Sequence, residues 1–294
     1  MTLHEYLQGM KGKTAAVIGL GVSNRPLVEL LARNGVKVIA CDRKERAALG
    51  GAVLHLGEGY LRDLDADVVF RTPGMRPDVP ELLEAKAHGA VITSEMEAFF
   101  AVCPCPILGV TGSDGKTTTA SVIAELLKAE GRRVWLGGNI GRPLLPVVGE
   151  IRAEDAAVVE LSSFQLTRMK QSPQVAVITN VAPNHLDWHT DMAEYVEAKG
   201  NLIRYQVYPG SFSYTQPVEM CFLYLNIRHR RLFSRLHPVE EGAFLAEDGW
   251  LCMAEKGTVT RVMRSEDIRI AGAHNRENFL AAIAAVWGAV PTEA

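Results

Sequence analysis

The sequence predicts an α/β protein in two units: a doubly wound unit over residues 1–96, and over 97–294 a second α/β unit with a mainly parallel central sheet. Three observations carry this. Short continuous apolar runs alternate with stretches of helical periodicity, as strands covered on both faces by helices require. Two of those runs lead straight into glycine turns, one at Gly19-Leu20-Gly21 and one from Gly109 to Lys116. Several runs end in a polar residue, among them Asp42, Glu160 and Asn180, on the edge where parallel strands collect ligands.

The first unit opens on Thr14-Ala15-Ala16-Val17-Ile18, a run apolar enough to be buried on both faces. The glycine turn and Val22-Ser23-Asn24 follow, then a helix through Leu27, Leu30 and Leu31 that ends near Asn34-Gly35. The next strand is Val36 to Ala40, with Asp42 at its carboxyl end. Asp67-Val68-Val69-Phe70 gives a further strand, ending at Arg71-Thr72-Pro73-Gly74, before a helix (Glu81 to His88) and a strand (Ala90 to Thr93). This order is Rossmann-like, and its ligand crevice lies at the carboxyl ends of the strands. Gly19 and Gly21, with an acid some twenty residues on, look like a dinucleotide fingerprint. Asn24, however, stands where the third glycine allows close helix packing beneath a pyrophosphate. A nucleotide or nucleotide sugar therefore fits better than NAD. A tight turn without any ligand, and an Asp42 that is a plain surface carboxylate, would leave the same residues.

The second unit has strands at Ile107 to Val110, Arg133 to Leu136, Ala156 to Glu160 and Val175 to Thr179. After the first comes Gly109-Val110-Thr111-Gly112-Ser113-Asp114-Gly115-Lys116-Thr117-Thr118, and then a helical stretch from Ala120 to Glu130. Strand, glycine loop, Lys-Thr and helix are what a phosphate cradle (a P-loop) needs. Backbone N–H groups and the helix N-terminus meet the phosphates, Lys116 adds a full charge, and the Thr117 hydroxyl can hold Mg²⁺. The spacing departs from the general P-loop pattern at Val110, where glycine is usual. A second loop, Gly137-Gly138-Asn139-Ile140-Gly141, follows the next strand. Glu160, at a strand end on the same edge, stands where a Mg²⁺ ligand belongs, and His185 could be a second ligand or a phosphate contact. Residues 205–235 break the pattern: four of the seven tyrosines fall there, and a strand at Cys221 to Leu225 is the one element expected within it.

Composition narrows the function classes. With 48% hydrophobic and 22% charged residues and a net charge of −3, the chain reads as a soluble globular protein with no basic excess for nucleic acid. No apolar run is long enough for a membrane span, and the N-terminus lacks a signal-peptide pattern. Five cysteines, with Cys103-Pro104-Cys105 off any metal spacing, suit reduced thiols in a cytoplasmic protein; a monomer is expected.

Taken together, Gly109 to Thr119, Gly138-Asn139-Ile140-Gly141, Glu160-Leu161-Ser162-Ser163-Phe164-Gln165-Leu166, Asn180-Val181-Ala182-Pro183-Asn184-His185-Leu186-Asp187 and Gly272-Ala273-His274-Asn275-Arg276-Glu277-Asn278, in that order, resemble the Mur ligase superfamily. The Ser-Ser-Phe-Gln run and the turn at 19–21 are similar to those of members that add D-glutamate to UDP-N-acetylmuramoyl-L-alanine. The resemblance covers about 1–204 and 238–294. Residues 205–237 depart from the family's pattern, as local divergence or a shifted reading frame would make them.

The resemblance implies ATP-dependent amide formation through an acyl phosphate, in peptidoglycan precursor synthesis. It implies that Gly112, Ser113, Asp114, Gly115, Lys116, Thr117 and Thr118 hold ATP phosphates, with Asn275 and Asn278 near the adenine. Thr117, Glu160, His185 and Lys199 would hold Mg²⁺, and Lys116, His185 and Lys199 would be catalytic. Lys199, otherwise a helix-surface lysine, matches a carbamylated one. Asn139, Ser162 and Gln165 would face the muramoyl substrate, and Gly19, Gly21, Ser23, Asp42, Thr72, Pro73 and Gly74 would hold the uridine diphosphate. Family members carry a third α/β domain for the incoming amino acid, which is expected to be missing here. An inactive fragment that binds only ATP and the UDP-sugar, or another Mur-type or folylpolyglutamate-synthase-like ligase, are the alternatives; Ser162 to Gln165 argues against the last.

Overall fold

A computed structural model describes residues 1–45, 49–206, 211–215 (backbone alone) and 230–288. The fold is α/β with mainly parallel sheets, as the alternation of runs predicts. Packing divides the chain into two compact units, Met1–Pro104 with Arg142–Ile151, and Cys105–Gly141 with Arg152–Ala294.

The first unit begins with helix α1 (Leu3–Met10). Thr2 and Glu5 form a reciprocal capping box at its start, which satisfies two otherwise orphaned N–H groups. Strand β1 (Thr14–Ile18), helix α2 (Asn24–Arg33) and strands β2 (Lys37–Asp42), β3 (Ala52–Leu56) and β4 (Val68–Phe70) follow. Helix α3 (Pro80–Ala87), strand β5 (Val91–Thr93) and helix α4 (Glu95–Val102) complete the run. Ser94 caps α4 by accepting from the Glu97 N–H. The five strands are parallel in the order β3-β2-β1-β4-β5. Strand order reverses between β1 and β4, and that switch point opens a crevice at the strands' carboxyl ends. The 3₁₀ segment Leu145–Glu150 belongs to this unit although its flanks in sequence belong to the other. It packs on α2 and α4, with Leu144, Leu145 and Val148 buried.

The second unit holds strand β6 (Ile107–Thr111), helix α5 (Lys116–Ala129), strands β7 (Val134–Gly138) and β8 (Ala156–Glu160), and helix α6 (Ser163–Leu166). Strand β9 (Val175–Ile178) and helix α7 (Met192–Arg204) lead to strands β10 (Ser211–Thr215), β11 (Arg230–Ser234), β12 (Gly242–Leu245), β13 (Trp250–Glu255) and β14 (Thr258–Arg264), and helix α8 (Ala273–Val286). The sheet order is β14-β13-β12-β11-β10-β9-β6-β8-β7. It is parallel from β7 through β12, and antiparallel only where hairpins add β13 and β14. Helices α5 and α8 pack together and bury Ile123, Ala124, Leu127, Leu280, Ala281 and Ala284 against the sheet. In the stretch that broke the sequence pattern, β10 and β11 run parallel inside the sheet; the strand expected at Cys221 to Leu225 lies outside the described residues. Among the described residues, no helix is long and apolar enough to cross a membrane.

Candidate functional site

In the first unit, the turn after β1 is shaped by its neighbours. Gly19 has φ +78°, and a Cβ there would sit 2.9 Å from the Thr72 Cβ, so glycine is required both by conformation and by the approach of the loop after β4. The Gly19 N–H donates to the Cys41 carbonyl (2.7 Å) and the Leu20 N–H to Asp42 Oδ2 (2.8 Å). Asp42 is buried, and its other oxygen accepts from the Lys44 N–H (2.8 Å). It is thus not the surface carboxylate that the residues alone allowed, but a brace for the glycine turn. Asn24, the departure from the dinucleotide pattern, is buried at the start of α2 and donates to the Ile18 carbonyl (2.9 Å). The side-chain amide ties helix to strand where glycine would let them touch. Ser23 precedes α2 without a side-chain cap, and Gly21 and Gly74 are open to solvent. Thr72 and Pro73 are half-buried, and Thr72 accepts from the Met75 N–H (3.1 Å).

In the second unit, β6 lies inside the sheet between β9 and β8 and hands the chain to the loop 112–115, which opens α5. Gly115 is left-handed at φ +78°, and a Cβ on it would run into Asn278 Oδ1. The loop is held by its neighbours on β9 and α7. Asn180 accepts from the Asp114 N–H (2.9 Å) and donates to its carbonyl (3.1 Å). Thr179 Oγ1 donates to the same carbonyl, and the Ser113 N–H to the Asn180 carbonyl (3.0 Å). Ser113 is buried, and its hydroxyl donates to the Ala182 carbonyl (2.8 Å) and meets the Tyr195 hydroxyl (2.9 Å). Burial pushes the Tyr195 phenol up, and the bond from Ser113 opposes it.

Two ammonium groups converge on one atom of this loop. Lys116 donates to the carbonyls of Gly112 (3.0 Å) and Ser113 (2.8 Å), and Lys199 donates to the same Gly112 carbonyl (2.8 Å). Lys199 is 1% exposed, with its ammonium 4.5 Å from the Tyr195 ring centroid. The surface lysine read from sequence is therefore overturned: α7 turns Lys199 inward, under the loop.

Glu160, at the end of β8 and 1% exposed, accepts from the Thr117 hydroxyl (2.7 Å) and the Asn139 amide (2.8 Å). Asn139 also donates its backbone N–H to the Glu160 carbonyl (2.8 Å). Of the four expected metal ligands, Thr117 and Glu160 are together and Lys199 lies beneath the loop. His185 is exposed in a left-handed turn, with its ring 4.8 Å from that of Phe164. Among the described residues, no group of three or more His, Cys, Asp or Glu is placed to hold a metal. Ser162 and Gln165 form a capping box on α6, Gln165 Oε1 accepting from the Ser162 N–H (3.0 Å). Asn275 and Asn278 are buried beside the loop: Asn278 donates to Asn275 Oδ1 (3.0 Å) and lies near the Thr119 hydroxyl (3.4 Å). Thr118 is half-buried on the first turn of α5.

Tyr195 and Thr179 were missed from sequence. An isolated Tyr in a helix and a Thr at a strand end carry no spacing of their own; only the strand order brings them to the loop.

Comparison with known proteins places these residues in a family context. The Mur ligase middle domain matches residues 110–219, and so extends into the stretch that had shown no resemblance. A UDP-N-acetylmuramoylalanine--D-glutamate ligase from Acetivibrio thermocellus is 46% identical over 97% of this chain, and the chain spans 63% of that relative's length. Among solved structures, a UDP-N-acetylmuramate:L-alanyl-gamma-D-glutamyl-meso-diaminopimelate ligase from Neisseria meningitides shares the fold at 21% identity and a TM-score of 0.61, covering 93% of each chain. A MurF ligase from Thermotoga maritima in complex with ADP does so at 18% identity and a TM-score of 0.50, over 98% of this chain and 63% of that one.

Proposed function

We propose that this chain, similar to the Mur ligase middle domain over residues 110–219 and 46% identical to a D-glutamate ligase over 97% of its length, is a Mur-type ligase that takes part in ATP-dependent amide formation, adding D-glutamate to UDP-N-acetylmuramoyl-L-alanine. The observation that carries the reading is the meeting of Lys116 and Lys199 on the Gly112 carbonyl. Two like charges beside one atom repel each other. An anion in the loop relieves that repulsion, and the N-terminus of α5 adds its partial positive charge. The triphosphate of ATP is the anion of matching charge, and 112–118 are its cradle.

The oxygen donors Thr117 and Glu160, already 2.7 Å apart, suit a hard cation, and His185 would join them once its turn closes on the site. Bound there, Mg²⁺ would neutralise charge on the transferred phosphoryl group. Once the Lys199 ammonium has given up a proton, addition of CO₂ to the neutral amine, with loss of a second proton to solvent, would leave a carbamate anion beside Lys116, so the pair would attract. Lys116 would then steady the γ-phosphate while the substrate carboxylate attacks it and ADP leaves, and the neutral amine of D-glutamate would displace phosphate from the acyl phosphate, losing a proton as the amide forms. Positioning and charge neutralisation do most of this work. The first unit's crevice, with Gly19, Gly21, Ser23, Asp42 and Thr72 to Gly74, would take the uridine diphosphate. Asn139, Ser162 and Gln165 would meet the muramoyl moiety, and Asn275 and Asn278 the adenine.

The test is incorporation of radiolabelled D-glutamate into UDP-N-acetylmuramoyl-L-alanine with ATP, alongside calorimetric titration of ATP. Lys116→Ala is expected to weaken ATP binding roughly tenfold to a hundredfold, the loss of charged hydrogen bonds worth about 1.5–3 kcal/mol, and to leave UDP binding unchanged. Equal ATP affinity would contradict the role of Lys116. ATP and UDP binding without amide product would reduce the chain to its nucleotide-binding function.

A further inference from the structure

Arg71 ends the run of β4, directly before the loop Thr72-Pro73-Gly74-Met75. It is 4% exposed, where a guanidinium is rarely found. Its backbone N–H donates to the Thr93 carbonyl (2.8 Å), which anchors the residue beside β5. One nitrogen, Nη1, donates to the carbonyls of Thr72 (3.3 Å) and Pro73 (3.1 Å) and to that of Met75. Three carbonyls of one short loop therefore turn inward around a single cationic group. The same loop presses Thr72 against Gly19, across the switch point of the sheet. Burial lowers the guanidinium's affinity for its proton, while the Glu97 carboxylate raises it.

We propose that Arg71 is a positioning residue for the nucleoside-diphosphate site: by gathering the carbonyls of residues 72, 73 and 75 it fixes the loop across the glycine turn before ligand arrives. This rests on the reading of that crevice as a uridine diphosphate site. Two physical effects act together. Turning the carbonyls inward removes three negative dipole ends from the face that a diphosphate would approach. Holding the loop in place beforehand spares the ligand the cost of ordering it. A lysine keeps the charge but not the planar fork, so it can reach fewer of the three carbonyls in good geometry. A methionine keeps the packing and takes the guanidinium from all three, leaving the Thr72 carbonyl with the Met75 N–H as its donor.

The experiment is titration of UDP into the wild type, Arg71→Lys and Arg71→Met, with ATP titrated into each as an internal control of the second unit. Arg71→Met is expected to weaken UDP binding about tenfold or more, and Arg71→Lys to restore part of the loss, with ATP affinity the same in all three. Hydrogen exchange of the Met75 amide in the ligand-free wild type is expected to be slow, and needs no variant to fold. A folded Arg71→Met protein that binds UDP like the wild type would overturn the proposal. So would fast exchange at Met75 before ligand is added. A wild type that binds ATP but not UDP would instead remove the nucleotide reading of the crevice, and the proposal with it. The two failures are distinct, because the first requires a wild type that binds UDP.

Discussion

At the scale of single residues, the groups that matter are polar side chains buried with their partners. Glu95 shows how much burial can weigh. It lies in α4 at 5% exposure and accepts from the Leu145 N–H (3.1 Å). Burial pushes its carboxyl up to about 7 from an ordinary 4.5, and the Leu145 bond offsets only part of this. Between those two values the folded protein keeps a proton that the unfolded chain has released. Stability from this group is therefore full below about 4.5 and lost as pH rises through about 7. Glu95→Gln cannot ionise, so relative to the wild type it should gain about 3 kcal/mol on going from pH 4 to pH 8. Urea melts at the two pH values measure this, and equal changes in the two proteins would refute it. None of this was readable from sequence, where Glu95 falls between the strand expected at Ala90 to Thr93 and the start of the second unit. The same limit hid Lys199. A lysine's neighbours in sequence say it sits on a helix, but the direction of that helix's inner face is set by β6 and the loop that follows it.

At the scale of elements, the sequence was most legible where a run was continuous and apolar. Strands β1, β6, β8 and β9 are buried on both faces, so their boundaries follow the apolar runs closely. Helices α1 and α4 went unread although Thr2 and Glu5, and Ser94 and Glu97, carry the capping signature. The half-exposed edge strand β3 had no such run to show. Strand β10 was hidden for another reason: Ser211-Phe212-Ser213-Tyr214-Thr215 alternates, yet it pairs on both sides. Helix α8 ends without a basic residue in its last turn. Arg231, from β11, supplies the missing donor to the carbonyls of Ala284 (3.1 Å) and Trp287 (3.0 Å), and its other nitrogen bonds Glu255 of β13 (3.1 Å). Arg231→Met should therefore cost about 1–3 kcal/mol, seen as a lower thermal midpoint with ATP affinity retained. An unchanged midpoint would show that water serves those carbonyls equally well.

At the scale of the molecule, the proposed reading of the two glycine turns, one after β1 and one after β6, predicts two ligand sites, each inside its own compact unit. Hydrogen exchange should separate them. UDP is expected to slow the amides of residues 19–24 and 72–75, and an unhydrolysed ATP analogue those of 112–118 and 275–278. Protection of both sets by either ligand would contradict independent sites. The doubly wound order was legible because alternation, strand burial and turn chemistry agreed with one another. The division of the chain was not, because Arg142–Ile151 returns to the first unit by packing alone, with no composition shift to announce it.

That return has a consequence for how the chain is made. A protein emerging from the ribosome usually completes its first domain before the next begins. Here Leu144, Leu145 and Val148 fill part of the first unit's interior, so its core stays open until residue 151 has left the exit tunnel. By then β6, the glycine loop at 112–115 and α5 have already been synthesised. The two units are therefore assembled in an overlapping order, the first unable to close until part of the second has been made.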